Sequence, residues 1–391
     1  MSRSRLLFYC QHSVGLGHLV RSLNLATGLA ESFDVTFLNG GPWPPDVAPP
    51  PGVAMVNLPP LGHDADYALV SRDPKLTVEQ ACELRRRTVL STYEEIRPDV
   101  VLVELFPFGR KKFAFELLPL LQAVRAAPGT RPLVVSSLRD ILVGSRRDQQ
   151  GHDDRACRTA NEYFDAILVH ADARFAAIEE SFSPSMPLVP PVHYTGFVRT
   201  PTPDRPVPGG LRRVLVSAGG GMVGEPLFTA AVAAQPRLFA EHGLRMTLVT
   251  GPFLPEQDRA NLHRAATGVP GLEVVRFLSD LAGEMAASTV SVSQAGYNTT
   301  MDLLGCGTPA VVVPYGEGRE DEQAERARRL ETMGALRVLA ADKLSGDALA
   351  DAVVDALGWQ PLPLPLDLDG REATRRLLHS LTGAPVAEAV A

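Results

Sequence analysis

The sequence predicts an α/β protein: two doubly wound, Rossmann-like domains whose parallel sheets face a central cleft. Three observations predict it. Short, continuously apolar runs bounded by turn residues alternate with longer helical patterns, as expected of strands buried on both faces of a parallel sheet. The order strand, glycine loop, helix occurs near residue 12 and again near residue 218. Between the two copies, RTPTPDRPVPGG at 199–210 holds four prolines and closes on two glycines, the composition of a linker. The division expected is therefore 1–200, a linker at 201–210, a second domain at 211–369, and a C-terminal helix within 370–391 that packs back on the first domain.

The first domain opens with a strand, RLLFYC, then the loop and helix of HSVGLGHLVRSLNLATGL at 12–29, the helix running from Leu19 to Glu31. DVTFLNGG is the second strand, and the proline-rich stretch at 41–62 reads as a long loop with one short strand. Helical patterns in TVEQACELRRRTVLSTYEEI and FAFELLPLLQAVRAA alternate with strands in DVVLVEL at 99–105, PLVVSSL at 132–138 and AILVHA at 166–171. Loops at 41–75 and 140–160 are expected to line a substrate site. After the linker, RRVLVSAGGG, RMTLVTG, LEVVRF, VSVSQAG and PAVVVPYG supply the strands of the second domain. GREATRRLLHSL at 370–381 is the closing helix. In open sheets of this kind ligands sit outside the carboxyl ends of the strands.

Composition excludes several classes. The chain has 391 residues, 45% hydrophobic and 21% charged, as in a soluble globular protein. A net charge of −7 leaves no cationic excess to attract nucleic acid or an acidic membrane. Cys10, Cys82, Cys157 and Cys306 show no CxxC spacing, against a zinc knuckle or a disulfide framework. The apolar run at 6–10 is too short for a signal peptide core. No stretch approaches the roughly 18–20 apolar residues of a transmembrane helix. A reduced, cytoplasmic protein is expected, with peripheral membrane contact and oligomeric state left open.

Neither glycine loop completes a dinucleotide site. GGGMVG at 219–224 matches G-x-G-x-x-G, but the following strand closes on Thr250 and Gly251 rather than on the acid that would hold a ribose. The first loop has Val20 in place of the third glycine, and its next strand closes on Asn39. No Walker lysine follows either loop. What remains is a backbone able to approach an anion closely. Residues 291–330 extend that reading: Ser293 and Gly296 end a strand, a helix starts near Tyr297, and Asp302 shares its face with Asn298 at i, i+4. The free amides of that helix N-terminus suit a diphosphate, and Asp302 suits a ribose.

This combination resembles the GT-B glycosyltransferases, and within them the family 28 branch that contains the peptidoglycan-precursor N-acetylglucosaminyltransferase. It also resembles bacterial predicted glycosyltransferases with GLGH near the start and EQ…RA late in the chain. The similarity covers most of the chain and is strongest at 8–30 and 277–335. The resemblance implies an acceptor-binding first domain and a nucleotide-sugar donor domain second. It implies that Gly220 and Gly221 approach the donor phosphates and that Phe277 and Leu278 border the base. Ser293, Gly296 and Thr299 would hold the diphosphate, Asp302 the ribose, and Glu322 and Gln323 the sugar hydroxyls. Two positions depart from the pattern: Asp302 stands where the peptidoglycan enzyme has glutamate, and Gln294 where arginine is frequent.

His18 follows the first loop, and in GT-B enzymes the G-x-G-H histidine is the usual base. Glu104, at the end of a strand, is its expected partner, with His12, Gly15 and Gly17 on the acceptor-side loop. Two readings of His18 stay open at this point, base or helix cap, and Glu104 could equally be a structural ion pair. A helix N-terminus lowers the pKa of His18 while a paired carboxylate raises it. The function expected is an inverting glycosyltransferase that uses no metal or other cofactor, since no D-x-D motif precedes a plausible metal site. Its donor would be a UDP-linked sugar, an N-acetylhexosamine among the candidates. Its acceptor would be a small molecule, a carrier-bound intermediate or a natural product. A nucleotide-sugar hydrolase, a related 2-epimerase and a non-catalytic nucleotide-sugar binding protein are the alternatives.

Overall fold

The computed structural model describes residues 3–12, 16–44, 47–64, 68–143, 146–201, 212–315 and 322–383. The chain divides into two compact units. The first comprises Met1–Val14, His18–Val198 and Asp367–Ala391; the second comprises Gly15–Gly17 and Arg199–Leu366.

The first unit is built on β1 (Ser4–Cys10), β2 (Phe33–Asn39), β3 (Val53–Asn57), β4 (Leu61–His63), β5 (Leu69–Ser71), β6 (Val100–Glu104), β7 (Leu133–Leu138), β8 (Ala166–Val169) and β9 (Val192–Tyr194). Seven of these form a sheet of order β3-β2-β1-β6-β7-β8-β9, every pair parallel, while β4 and β5 make a small antiparallel hairpin. The central strands are apolar along their length because both faces are covered: Leu6 to Cys10 and Val100 to Val103 are fully buried. The helices are α1 (Gly17–Leu29), α2 (Val78–Ile96), α3 (Ala114–Ala126) and α4 (Gln149–Tyr163). Helix α2 is fixed at its start by a capping box between Thr77 and Gln80.

Chain order reverses between β1 and β6: from β1 the chain moves outward through β2 and β3, then returns to place β6 on the other side of β1. The carboxyl ends of two adjacent strands therefore diverge at this point and leave a crevice. Glu104 is the last residue of β6, and α1 begins seven residues after Cys10 closes β1.

Three expectations are corrected here. The stretch 41–62, read as a loop with one short strand, holds β3 and the start of β4, and β5 interrupts the loop expected to continue to 75. Residues 149–163, read as part of a loop, form α4. The sequence QQGHDDRACRTANEY is polar overall, yet Asp153, Ala156, Cys157 and Ala160 lie on one buried stripe. That narrow stripe of small side chains is enough to seat a helix whose mean composition looks like a loop. Helix α1 also begins earlier than expected, so that His18 lies inside its first turn.

The second unit has β10 (Arg213–Ser217), β11 (Arg245–Val249), β12 (Leu272–Val275), β13 (Val290–Ser293), β14 (Ala310–Val312) and β15 (Arg337–Val338). They form a parallel sheet of order β12-β11-β10-β13-β14-β15, with the same reversal between β10 and β13. Around it lie α5 (Glu225–His242), α6 (Glu256–Ala266), α7 (Leu281–Ala286), α8 (Tyr297–Cys306), α9 (Glu322–Thr332) and α10 (Gly346–Leu357). Val214, Val216, Met246, Leu248, Val290, Val292 and Val311 present one sheet face to Leu227, Ala231 and Leu238 of α5 and Leu349 and Val353 of α10. The linker expected at 201–210 lies outside the described residues from 202 onward.

The last helix, α11 (Gly370–Thr382), belongs to the first unit. The His379 ring stacks on Phe33 with centroids 4.4 Å apart, and its Nε2 lies 2.8 Å from Ser32 Oγ. Gly28 of α1 admits this helix closely: a Cβ there would stand 2.9 Å from Arg371 Nε. Among the described residues no helix is long and apolar enough to cross a membrane.

Candidate active site

The crevice of the first unit is lined by one carboxylate and the cations around it. Glu104 is fully buried, and its Oε1 accepts from His18 Nδ1 at 2.6 Å and from Arg21 Nη2 at 2.6 Å. Its Oε2 lies 3.6 Å from Arg110 Nε. The local structure explains the convergence. His18 and Arg21 are three residues apart on α1 and so share a face. After β6 the chain turns through Leu105 at φ 63° and Arg110 at φ 58°, which brings Arg110 back toward the strand end it has just left.

Burial alone would raise the Glu104 carboxyl, but His18, Arg110 and Arg21 outweigh it and hold the group well below the usual carboxylate range. Glu104 is thus an anion that can only accept. His18 Nδ1 carries the proton of that hydrogen bond, and Nε2 is left as the ring's acceptor nitrogen. Burial lowers the pKa of His18; Glu104 opposes this, while Arg110 and Arg139 reinforce it. The balance left open by the sequence falls on the side of the neutral imidazole. Cys10, at the end of β1, is pushed up to about 12 by burial and by Glu104, so it is a thiol and not a nucleophile.

The other acceptor-side residues separate. His12 is buried with Nε2 3.2 Å from Asn39 Oδ1, and burial lowers its pKa to about 4. Asn39 in turn donates to Gly41 O and Asn57 Oδ1, which fixes its amide oxygen toward the histidine. His12 is a neutral, tethered group in the loop after β1. Gly17 is the exposed first residue of α1, and Gly15 lies outside the described residues. Arg21 and Arg110 were not singled out from sequence. Arg21 had a weak signal, a charge three positions from His18 among the apolar residues of α1, and the structure leaves it 2% exposed. Arg110 had none, because its position depends on a turn.

The second unit gathers most of the remaining candidates at the carboxyl end of its sheet. Gly221, at φ 88°, packs its backbone against Thr250: a Cβ there would stand 1.9 Å from Thr250 O. Phe253 N donates to Gly220 O at 2.9 Å, so the loops after β10 and β11 are interlocked backbone to backbone. Gln294 Nε2 donates to Val223 O at 3.0 Å, joining the glycine loop to the turn between β13 and α8. The departure from arginine at this position thus has a structural role. Gly296 caps α8, and a Cβ there would meet only open space. Ser293, the last residue of β13, is fully buried, and its hydroxyl has no hydrogen-bond partner among the described residues. Thr299 is half-buried in the first turn of α8.

Asp302 lies on α8, 7% exposed, and its Oδ1 accepts from Thr200 N at 3.4 Å. Burial pushes its carboxyl up to about 7, against the hydrogen bond from Thr200. Phe277 and Leu278 are half-buried in the segment after β12. Glu322 and Gln323 open α9, and Gln323 Oε1 accepts from Tyr315 N at 3.2 Å. The acidic stretch at 316–321 before them lies outside the described residues.

Residues 215–359 match the model of the glycosyltransferase family 28 C-terminal domain. That match lies wholly within the second unit. Curated relatives match part of the chain. A UDP-N-acetylglucosamine–N-acetylmuramyl-(pentapeptide) pyrophosphoryl-undecaprenol N-acetylglucosamine transferase from Syntrophotalea carbinolica is 32% identical over 157 residues, 40% of this chain and 43% of that one. The corresponding Rhizobium meliloti protein is 34% identical over 141 residues, 35% of this chain and 37% of that one. The matched stretch spans less than half the length of these relatives.

Solved structures match along the whole chain. The calicheamicin glycosyltransferase CalG4 superposes with a TM-score of 0.60 at 19% identity, covering 98% of this chain and 96% of that one. Acinetobacter baumannii MurG gives 0.57 at 14% identity, covering 96% and 99%. A putative UDP-N-acetylglucosamine 2-epimerase from Listeria monocytogenes gives 0.61 at 13% identity, covering 99% of each. These likenesses establish the fold, which is GT-B, and they include both transferases and an epimerase.

Proposed function

We propose that the protein is an inverting glycosyltransferase that moves a sugar, with an N-acetylhexosamine the first candidate, from a UDP-linked donor to a hydroxyl acceptor. The observation that carries this reading is the 2.6 Å hydrogen bond between His18 Nδ1 and the buried Glu104 carboxylate, with burial favouring the neutral ring. The family 28 match of residues 215–359 and the relatives named for UDP-N-acetylglucosamine transfer support the donor. The acceptor is a small molecule, a carrier-bound intermediate or a natural product scaffold.

In the proposed reaction the acceptor oxygen attacks the anomeric carbon and the bond from that carbon to the diphosphate oxygen breaks. The acceptor proton passes to His18 Nε2, and the electron pair of the broken bond leaves on UDP. A neutral base with a carboxylate behind it suits this step, because the imidazolium that forms lies against an anion. The leaving diphosphate would be met by the amides at the start of α8 and by the Ser293 hydroxyl, with Gly220 and Gly221 at its side and the ribose on Asp302. Gln323 and Glu322 would address the sugar. Backbone amides and a helix dipole then take the part that a metal ion plays elsewhere, and no metal is called on.

The test is UDP release from a panel of UDP-sugars, each with and without an acceptor library. Release that depends on acceptor, with a glycosylated product of matching mass, is the expected result. Rapid release from the donor alone would make the protein a nucleotide-sugar hydrolase using the same histidine on water. Tight UDP-sugar binding without turnover across the library would favour a binding protein.

A further inference from the structure

Glu104 Oε1 serves two donors at once, His18 Nδ1 and Arg21 Nη2, each at 2.6 Å. A carboxylate needed only to orient an imidazole does not require a guanidinium on the same oxygen. Nor is the arginine there by default: Arg21 is 2% exposed, and burying a guanidinium is costly unless it is paired. A second guanidinium, Arg110, stands 3.6 Å from the other oxygen. One carboxylate thus faces two fixed cations before His18 is considered.

We propose that Arg21 is a positioning residue for His18: its guanidinium cancels the charge of Glu104, so that the carboxylate orients the imidazole without holding it protonated. A lone buried carboxylate 2.6 Å from a histidine would stabilise imidazolium and remove the very lone pair that a base must offer. With Arg21 on the shared oxygen, an imidazolium would be a further cation in a pocket already positive in sum. The charged and titratable groups that act on His18 come from every element around it. Glu104 at the end of β6, Arg110 after the β6 turn and Arg139 after β7 act on it directly, Arg21 on α1 meets it through the shared Glu104 oxygen, and Cys10 of β1 has its Sγ 3.8 Å from His18 O. Of these only Glu104 is an anion, and Cys10 is a neutral thiol.

The arrangement separates two jobs that a His–carboxylate pair usually combines. Glu104 supplies direction and stabilises the imidazolium that forms transiently during proton transfer. Arg21 keeps that imidazolium from being the resting state. The helix makes this possible at no cost in geometry, since i, i+3 spacing on α1 presents both side chains to one strand end.

The inference rests on His18 as the base of the proposed transfer, but its test needs no substrate. Histidine side chains are labelled with 15N in the full chain, the His18 resonances among the nine are assigned with His18→Gln, and their titration is followed by NMR. In the wild type His18 is expected to hold its proton on Nδ1 and remain neutral down to pH 5. Arg21→Met and Arg21→Gln are expected to raise its titration midpoint by about one unit or more, and Arg21→Lys to leave it near the wild-type position. Arg21→Gln keeps a hydrogen-bond donor to Oε1 without the charge, so it separates electrostatics from packing. A folded Arg21→Gln protein with an unmoved His18 midpoint would overturn the proposal. So would a wild-type midpoint at or above the ordinary value of about 6.5, which decides the matter even if neither neutral variant folds. If the midpoint moves as expected while His18→Gln retains full turnover, the electrostatic role stands and the assignment of the base fails.

Discussion

Glu104 Oε1 stands 2.6 Å from His18 Nδ1, although the two residues are 86 positions apart in the chain. They meet because α1 follows β1, Glu104 ends β6, and β1 and β6 are neighbours at the point where the sheet reverses its order. The second unit repeats the arrangement with Ser217 and Ser293, paired at the ends of β10 and β13. The same topological rule thus builds both candidate sites, and it accounts for the chain carrying two glycine loops.

Replacing Glu104 by glutamine keeps the volume and an acceptor for Nδ1–H but removes the charge. Arg21 and Arg110 then lose their counter-ion, and Arg21 is almost fully buried. Chemical denaturation should show a loss on the order of 3–5 kcal/mol. Turnover should fall by about 10²-fold or more, because the imidazolium of the transition state would face cations alone. Unchanged stability and unchanged kcat would together show that the carboxylate is not an anion in this pocket.

Acid should weaken the fold in a defined window. His12 and His170 are buried neutral, with pKa values lowered to about 4 and about 3, and His18 is lowered with them. Above their ordinary value of about 6.5 neither the folded nor the unfolded state takes up these protons. Below it the unfolded chain does so first, so stability falls as pH drops from about 6.5 toward 4, by up to about 1.4 kcal/mol per unit for each histidine. Glu104, lowered well below its ordinary range, adds a further loss only below about 4.3. Urea midpoints measured from pH 8 to pH 4 check this; a flat profile between pH 6.5 and 4.5 contradicts it.

Donor affinity should depend on pH through Asp302, whose carboxyl is raised to about 7 by burial. A ribose hydroxyl donates best to the ionised form, so binding should strengthen as pH rises through 7 and then level off. Calorimetry with an intact UDP-sugar, whose diphosphate diester does not titrate in this range, isolates the effect. Asp302→Asn should bind about tenfold more weakly, in line with the strength of hydrogen bonds to a charged group, and without the pH dependence. An unchanged wild-type profile would remove Asp302 from the ribose site.

Arg85 provides a contrast outside the site. It is fully buried and donates to both oxygens of Glu116, to Gln11 Oε1, and to the carbonyls of Gly40 and Pro59. Tyr9 OH completes the cluster by donating to Glu116 Oε1 at 2.5 Å. Every N–H of the guanidinium is used, which marks it as structural. Arg85→Met should cost about 3–5 kcal/mol of stability while leaving kcat within a few-fold at a temperature where the variant is folded. A selective loss of activity in a stable variant would instead tie the cluster to the reaction.

The strands of both sheets were legible because continuous apolar runs such as Val100–Val103 have few other readings. His18 and Glu104 were legible as strand-end residues, and their contact follows from strand order, which the sequence does not spell out. Helix α4 escaped notice because a stripe of Asp153, Ala156, Cys157 and Ala160 carries little hydrophobic signal. Arg21 escaped for another reason: its pairing with the buried Glu104 carboxylate follows from strand order, which GLGHLVRSLNLA alone does not spell out. Arg110 depends on left-handed turns at Leu105 and Arg110 itself, conformations that those residue types do not announce.

The most direct test of the central claim is acceptor-dependent UDP release by the wild type and by His18→Gln, measured beside UDP-sugar binding for both. The account predicts that the variant binds the donor with unchanged affinity and loses about 10²–10⁴-fold in turnover. Turnover by the variant at the wild-type rate would contradict it.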